Sequence, residues 1–238
     1  MMIGPIINTG AIISGGLLGT ILSRFIPLRL QKGLPATFAL ASITIGITMI
    51  IKVHFVPVVV MALILGTAIG EFVYLEKGVT IGAQYIQKKL DRLLPMPRSL
   101  SREEFSQQFT ALIVLFAASG LGVVGSMTEG LNGHYQLLII KSMMDFVTAI
   151  IFSITLGPGV ALLAVVQFVV QTILFLVAKS IMPYMDPMAF ADFSAVGGII
   201  MLAVGLRIAK IMNFAVINFL PALFLVVPFS YLWRHFWG

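Results

Sequence analysis

Residues 146–178 read FVTAIIFSITLGPGVALLAVVQFVVQTILFLVA, thirty-three positions without one Asp, Glu, Lys or Arg. A helix crosses the hydrocarbon core of a bilayer in about 20 apolar residues. The run is too long for one crossing, and Gly157-Pro158-Gly159 sits at its middle, where proline cannot continue a helix. It predicts two spanning helices joined by a tight turn. Working outward, Met1–Ser23, Gly33–Ile51, Val53–Gly70, Phe105–Thr128 and Ile211–Trp233 are free of charge in the same way.

Composition agrees. Of 238 residues, 59% are hydrophobic and 10% charged, and mean hydropathy is +1.07. Water-soluble domains carry about 25% charged residues, so the chain is an all-α polytopic membrane protein. Eight spanning segments are expected, near 6–23, 36–52, 56–75, 108–126, 136–156, 158–179, 189–207 and 214–233. Ser101 with Glu104 three residues on is a capping box that starts the fourth. Met-Met-Ile-Gly-Pro has no basic region ahead of its apolar run, so no removable signal peptide is expected.

The absence of cysteine excludes disulfide scaffolds, Cys-ligated zinc and a thiol nucleophile. The net charge of +6 is read as a membrane-topology signal and not as a nucleic-acid footprint. With the N-terminus outside, the inner loops hold eleven of the 15 basic residues: Arg24, Arg29, Lys32, Lys77, Lys88, Lys89, Arg92, Arg98, Arg102, Arg207 and Lys210. The outer side keeps Lys52, Lys179 and Arg234. That asymmetry orients both termini outward; an odd count with a re-entrant first segment is the alternative. In the inner loop Glu76–Glu104, Ile86, Leu90, Leu93 and Leu94 share one helical face and Lys88, Lys89 and Arg92 another. The pattern fits a helix in the headgroup layer, or a solvated connector.

The chain also resembles itself. A shift of 152 positions places Thr20-Ile21-Leu22 on Thr172-Ile173-Leu174, Pro35 on Pro187, Phe38-Ala39 on Phe190-Ala191, Ser42 on Ser194, Gly46-Ile47 on Gly198-Ile199 and Met49 on Met201. Segments one to three then correspond to six to eight. Five crossings separate each pair, so the two units point opposite ways, as in many transporters with a midplane site. The expected organisation is repeat unit one at 1–75, a basic cytoplasmic loop at 76–107, two connecting helices at 108–156 and the inverted unit two at 157–238.

Ionisable groups at membrane depth are costly and mark candidate sites. Lys141 and Asp145, one turn apart on the fifth segment with Ser142 beside them, can neutralise each other; an ion pair that only permits insertion is the alternative. Glu71 follows Gly66 and Gly70, a spacing that admits a close neighbour. It is read as a buried ligand or as a side chain reaching the inner interface. Asp192 replaces Leu40 of the other repeat unit. Asn8, with Thr9 and Ser14, lies among the glycines of the first segment. Gln167 and Gln171 occupy the positions equivalent to Gly15 and Gly19, and the glycine face is expected to pack against these two amides. Pro221 is expected inside the eighth segment, flanked upstream by Asn213 and Asn218. The stretch Ser119–Gly130 contains four glycines and is expected to unwind towards an outer vestibule holding Glu129, Asn132 and His134. Its formal G-x-G-x-x-G lacks the strand a dinucleotide site needs.

No H-E-x-x-H, G-x-S-x-G or Walker loop occurs, and His54, His134 and His235 are scattered. Neither an enzyme, a metal site nor a cofactor is expected. The expected partners are the lipid bilayer and an ion or small solute, with a homodimer compatible and nucleic acid excluded. Solute pathway residues would be Lys141, Asp145, Ser142, Glu71, Asp192, Asn8 and Glu129. A second function class is a non-transporting scaffold or partner subunit that docks through the basic loop.

One set of motifs resembles a known family: Gly4-Pro5-Ile6-Ile7-Asn8, Gly46 and Lys52, Gly70-Glu71 with Leu75-Glu76-Lys77-Gly78, and Glu129-Gly130. Lys141-Ser142 with Asp145-Phe146, Phe193-Ser-Ala-Val-Gly-Gly198, Gly205-Leu-Arg-Ile208 and Leu220-Pro-Ala-Leu223 complete it. Together they resemble the YqgA/YdfK-like bacterial inner-membrane proteins, a domain-of-unknown-function family, over essentially the whole chain. The resemblance implies a multi-pass plasma-membrane protein and no established substrate.

Overall fold

The computed structural model describes residues 2–22, 27–90, 101–117 and 119–237. Every regular element among them is helical: α1 (Gly4–Leu22), α2 (Leu28–Ile50), α3 (Val56–Phe72), α4 (Leu75–Leu90), α5 (Arg102–Ala117), α6 (Gly120–Asn132), α7 (Gln136–Leu156), α8 (Leu163–Ile181), α9 (Pro187–Ile208) and α10 (Pro221–Trp237). Prolines open several of them, at the positions where a helix has no use for the missing N–H. Pro57 lies in the first turn of α3 and Pro187 opens α9 behind the N-cap Asp186. The turn at Gly157 is made with φ 76°, a region glycine enters without steric cost.

Six helices among the described residues are long and apolar enough to cross a membrane: Gly4–Leu22, Gln108–Asn132 (α5 with α6), Gln136–Leu156, Pro158–Ile181, Pro187–Ile208 and Val216–Phe236. The count rises to seven if α3 and α4, bent at their junction, form one broken span. The expected second and third segments fall short. The apolar part of α2 is Ala36–Ile50 and α3 has 17 residues, below the roughly 20 a crossing needs. α3 ends where Tyr74 takes φ 52°.

The chain forms two compact units. The first comprises Met1–Gln31 and Gly78–Ser180. Its apolar centre joins Ile12 of α1, Ala83 of α4, Phe105, Phe109, Leu112 and Phe116 of α5, Ala149 and Leu156 of α7, and Leu163 of α8. α1 lies along α7 over most of its length because its glycines remove side chains from the seam. A Cβ on Gly15 would stand 3.0 Å from the Ala149 Cβ, and one on Gly19 would overlap Ser153 and Ile150. Without water to drive apolar association, such close approach is what holds helices together in lipid. The glycine face therefore meets α7, and not the glutamines of α8 as the sequence led us to expect. Gly16 alone turns to Ala161, ahead of α8.

The second unit comprises Lys32–Lys77 and Ile181–Gly238. α2 crosses α9 where Gly46 meets Gly198, and a Cβ on either residue would stand 2.6 Å from the other's carbonyl oxygen. α3 packs along α10, with Gly66 against Ala222 and Gly70 against the Asn218 backbone. Pro221 starts α10, so it frees no carbonyl in a helix interior. Pro228 is the proline inside that helix.

One further expectation is corrected. The glycine-rich stretch after Ser119 does not unwind: α6 runs as a helix from Gly120 to Asn132 and ends on Gly133 with φ 77°. The inner loop is helical from Leu75, with Ala83 and Gln87 buried and Lys88 and Lys89 exposed. The rest of the predicted amphipathic face (the Leu90 side chain, Arg92, Leu93 and Leu94) and the Glu104 half of the capping box lie outside the described residues. α5 does begin directly after Ser101.

Candidate functional site

The strongest polar cluster lies within the first unit, on four helices. Asp145 is the tenth of the 21 residues of α7, which puts it near mid-membrane if that helix spans. Lys141 lies one turn before it, and its ammonium is paired with the Asp145 carboxylate. Both are buried: Lys141 is 2% exposed and Asp145 6%. Ser142, also buried, spends its hydroxyl on the Leu138 carbonyl at 2.6 Å. From α1, Asn8 faces Asp145 at 0% exposure. Neither its amide nitrogen nor its oxygen reaches hydrogen-bond geometry with any described residue.

α8 closes the cluster. Gln167 and Gln171, both fully buried, lie one turn apart and are hydrogen-bonded side chain to side chain. Thr9 of α1 donates to the Gln167 Oε1 at 3.2 Å. The Gln171 Nε2 is left without a partner among the described residues. It points at the first turn of α6, where a Cβ on Gly122 would stand 3.4 Å from Gln171 Nε2 and 2.7 Å from Lys141 Cε. Ser119 caps that turn, accepting from the Gly122 N–H at 3.2 Å. Each buried polar atom left unmatched costs about 1–3 kcal/mol. Leucine at position 8 would avoid that cost there, and the chain instead keeps three such atoms in one place.

The other sequence-predicted carboxylates do different work. Glu129 of α6 is 1% exposed and accepts from the Ile3 N–H at 2.6 Å and the Gly4 N–H at 3.1 Å. It thereby caps α1 with a negative charge where the helix dipole favours one. In the second unit Asp192, fully buried, accepts from the His54 N–H at 3.0 Å, the Phe55 N–H at 2.7 Å and the Ser230 hydroxyl at 2.9 Å. It caps α3 in the same way. Neither role has a sequence signature, because the donors are backbone groups of a distant segment.

Glu71 is exposed and does not join the cluster. It sits at the edge of an apolar groove of about 500 Å³ lined by Ile64, Leu202, Leu206, Phe214 and Phe219. Asn132 and His134 are exposed, the latter's N–H bonded to the Asn132 side chain. Asn213 is exposed, whereas Asn218 is buried and accepts from the Glu76 N–H at 2.7 Å. Glu76 in turn pairs with Arg207 at 2.8 Å. Among the described residues no group of three His, Asp or Glu could hold a metal ion.

Sequence reading singled out Lys141, Ser142, Asp145, Asn8, Gln167 and Gln171, but not their convergence. It missed Gly122 and Ser119 as parts of the site. The available signal was a helix-capping serine, with two glycines behind it, in the middle of an uncharged stretch.

The family model described as "Protein of unknown function (DUF554)" matches residues 3–231. The chain is 43% identical over 233 residues to "Uncharacterized protein YqgA" of Escherichia coli (strain K12), covering 98% of each chain. It is 27% identical over 227 residues to "Uncharacterized membrane protein YdfK" of Bacillus subtilis (strain 168), covering 93% of each. No solved structure matches. A match of this extent, with the apolar helices in which the buried pair is set, means that the chain belongs to the DUF554 family of membrane proteins.

Proposed function

We propose that the protein is a transporter or channel for an ion or small solute, and that the polar cluster of α1, α6, α7 and α8 is part of its pathway. The observation that carries this reading is the set of unmatched amide atoms of Asn8 and Gln171 beside a buried ion pair. Polar groups retained at a cost within apolar helices are usually functional. Lys141, Asp145, Ser142 and Asn8 belong to the pathway in this reading. Glu129 holds a helix end in the same unit, Asp192 holds one in the second unit, and Glu71 serves the groove of that second unit. The role is not enzymatic.

The inverted repeat underlies the proposal, and contacts within the second compact unit support it. Gly46 and Gly198 are equivalent under the 152-residue shift and face each other reciprocally. Exchanging the repeat units turns the Gly66–Ala222 contact into Gly70–Asn218, and both are made. The Gly46–Leu202 and Gly198–Ile50 contacts are related in the same way. Residue numbers in each set rise on one helix as they fall on the other, so equivalent helices run antiparallel, as oppositely inserted units must. The cluster itself lies where the first helices of the two repeats, α1 and α8, meet α7. With α2 and α3 as short or broken crossings the count is eight. The distribution of basic residues supports a reading with both termini outside a bacterial inner membrane.

The test is flux. The purified protein in liposomes should move an ion, and Asp145→Asn should abolish that movement while the protein stays folded. Unchanged flux after neutralising Lys141, Asp145, Glu71 and Asp192 overturns the assignment. A scaffold role is the second reading, favoured by the caps that Glu129 and Asp192 make. It predicts a stoichiometric partner bound through the basic loop and no flux at all.

A further inference from the structure

Which solute class the cluster suits follows from the groups left free in it. α6 begins inside the apolar stretch Gln108–Asn132 and not at its end, so its N-terminus is set within the span. The first N–H groups of a helix have no carbonyl of their own helix to reach, and together they carry about half a positive charge. Ser119 satisfies that of Gly122. Two side chains converge on the same turn. Lys141 passes its stem across Gly122, and the Gln171 Nε2, buried and unpartnered, points at it. The free groups at this turn are therefore donors, and the positive helix end adds to them. The nearest carboxylate, Asp145, is already paired with Lys141.

We propose that the first turn of α6, Lys141 and Gln171 form a binding site for a small monovalent anion. The unmatched side-chain atom at this turn is a donor, so a halide or formate meets the positive end of α6 together with the N–H donors of Lys141 and Gln171. Size is limited by packing: the methyl group that Gly122 lacks would already stand 2.7 Å from Lys141 Cε. Lys141 can share its remaining N–H donors with the anion while it stays paired with Asp145. The anion is the solute class of the pathway proposed above, and this inference rests on that reading for its role, though not for its geometry.

The test uses the full-length protein in detergent, titrated with sodium bromide against sodium gluconate at constant ionic strength, with thermal unfolding as the readout. Bromide should raise Tm saturably and gluconate should not. Gln171→Leu removes an unmatched donor but leaves the Gln167 Nε2 without its acceptor, so the variant should fold about as well as wild type while binding bromide about tenfold more weakly. A bromide response that is absent, or that is the same in Gln171→Leu, overturns the site. Flux separates this inference from the broader one. Sodium or potassium flux without any bromide response overturns the anion site alone. Saturable bromide binding without flux of any ion overturns transport and leaves the site standing.

Discussion

Consider Asp145→Leu, which removes the carboxylate held by Lys141. The Lys141 side chain is 2% exposed and that of Asp145 8%, so the variant leaves an ammonium in an apolar interior with no counter-charge. Removing one partner of a buried pair costs about 3–5 kcal/mol, whereas replacing both with apolar residues of similar volume is often neutral or better. Asp145→Leu and Lys141→Met should each lose about 3–5 kcal/mol, and the double variant should fall within about 1 kcal/mol of wild type. Unfolding in mixed micelles of a mild detergent and dodecyl sulfate, followed by the helical circular dichroism signal, measures all three. Single losses below about 1 kcal/mol that simply add would refute the burial argument. The same three proteins separate the two roles of the pair. If it only lets α7 insert, the double variant regains both folding and flux; if it lines a pathway, folding returns and flux does not.

Other expectations concern the helix ends and crossings. Asp192→Asn should lose about 2 kcal/mol, because three donors now meet a neutral amide, and exchange of the amide hydrogens at residues 54–58 should quicken; unchanged exchange would count against the cap. Gly46→Ala and Gly198→Ala should each cost about 1–3 kcal/mol by overpacking. The double variant should cost less than their sum, since one widened crossing accommodates both methyl groups, and strict additivity in chemical unfolding would contradict that crossing. Asp186, the N-cap of α9, is held below the usual carboxylate range by the Ala189 N–H, and further by Arg234. A carboxyl with a lowered folded pKa stabilises the protein above its unfolded value, and that contribution is lost as pH falls through the folded one. Asp186→Asn should therefore flatten the fall in Tm below about pH 4; parallel curves for variant and wild type would dismiss the effect.

What could be read from the chain follows the range of each interaction. Exclusion of charge over twenty residues is a local property, so the apolar segments and the turn at Gly157-Pro158-Gly159 were visible in order along the sequence. The same holds for Lys141 and Asp145, which share a face because one helix carries both at i and i+4. Of the eight expected segments, α2 and α3 have the shortest apolar helices, Ala36–Ile50 and the 17 residues of α3. Glu129, Asp192 and Asp145 look alike as isolated carboxylates in apolar surroundings. Two of them prove to hold helix N-termini, because their donors are backbone N–H groups that any residue supplies.

The sequence by itself determined that the chain belongs in a bilayer, where its helices lie, and which few polar residues must be sheltered, since each of these follows from transfer energies summed over neighbouring residues. Only the tertiary structure decided that Asn8, Gln171 and the start of α6 close around Lys141 and Asp145, while Glu71 belongs to the other compact unit. That grouping depends on which glycine faces let which backbones approach, a packing choice made between segments more than a hundred residues apart.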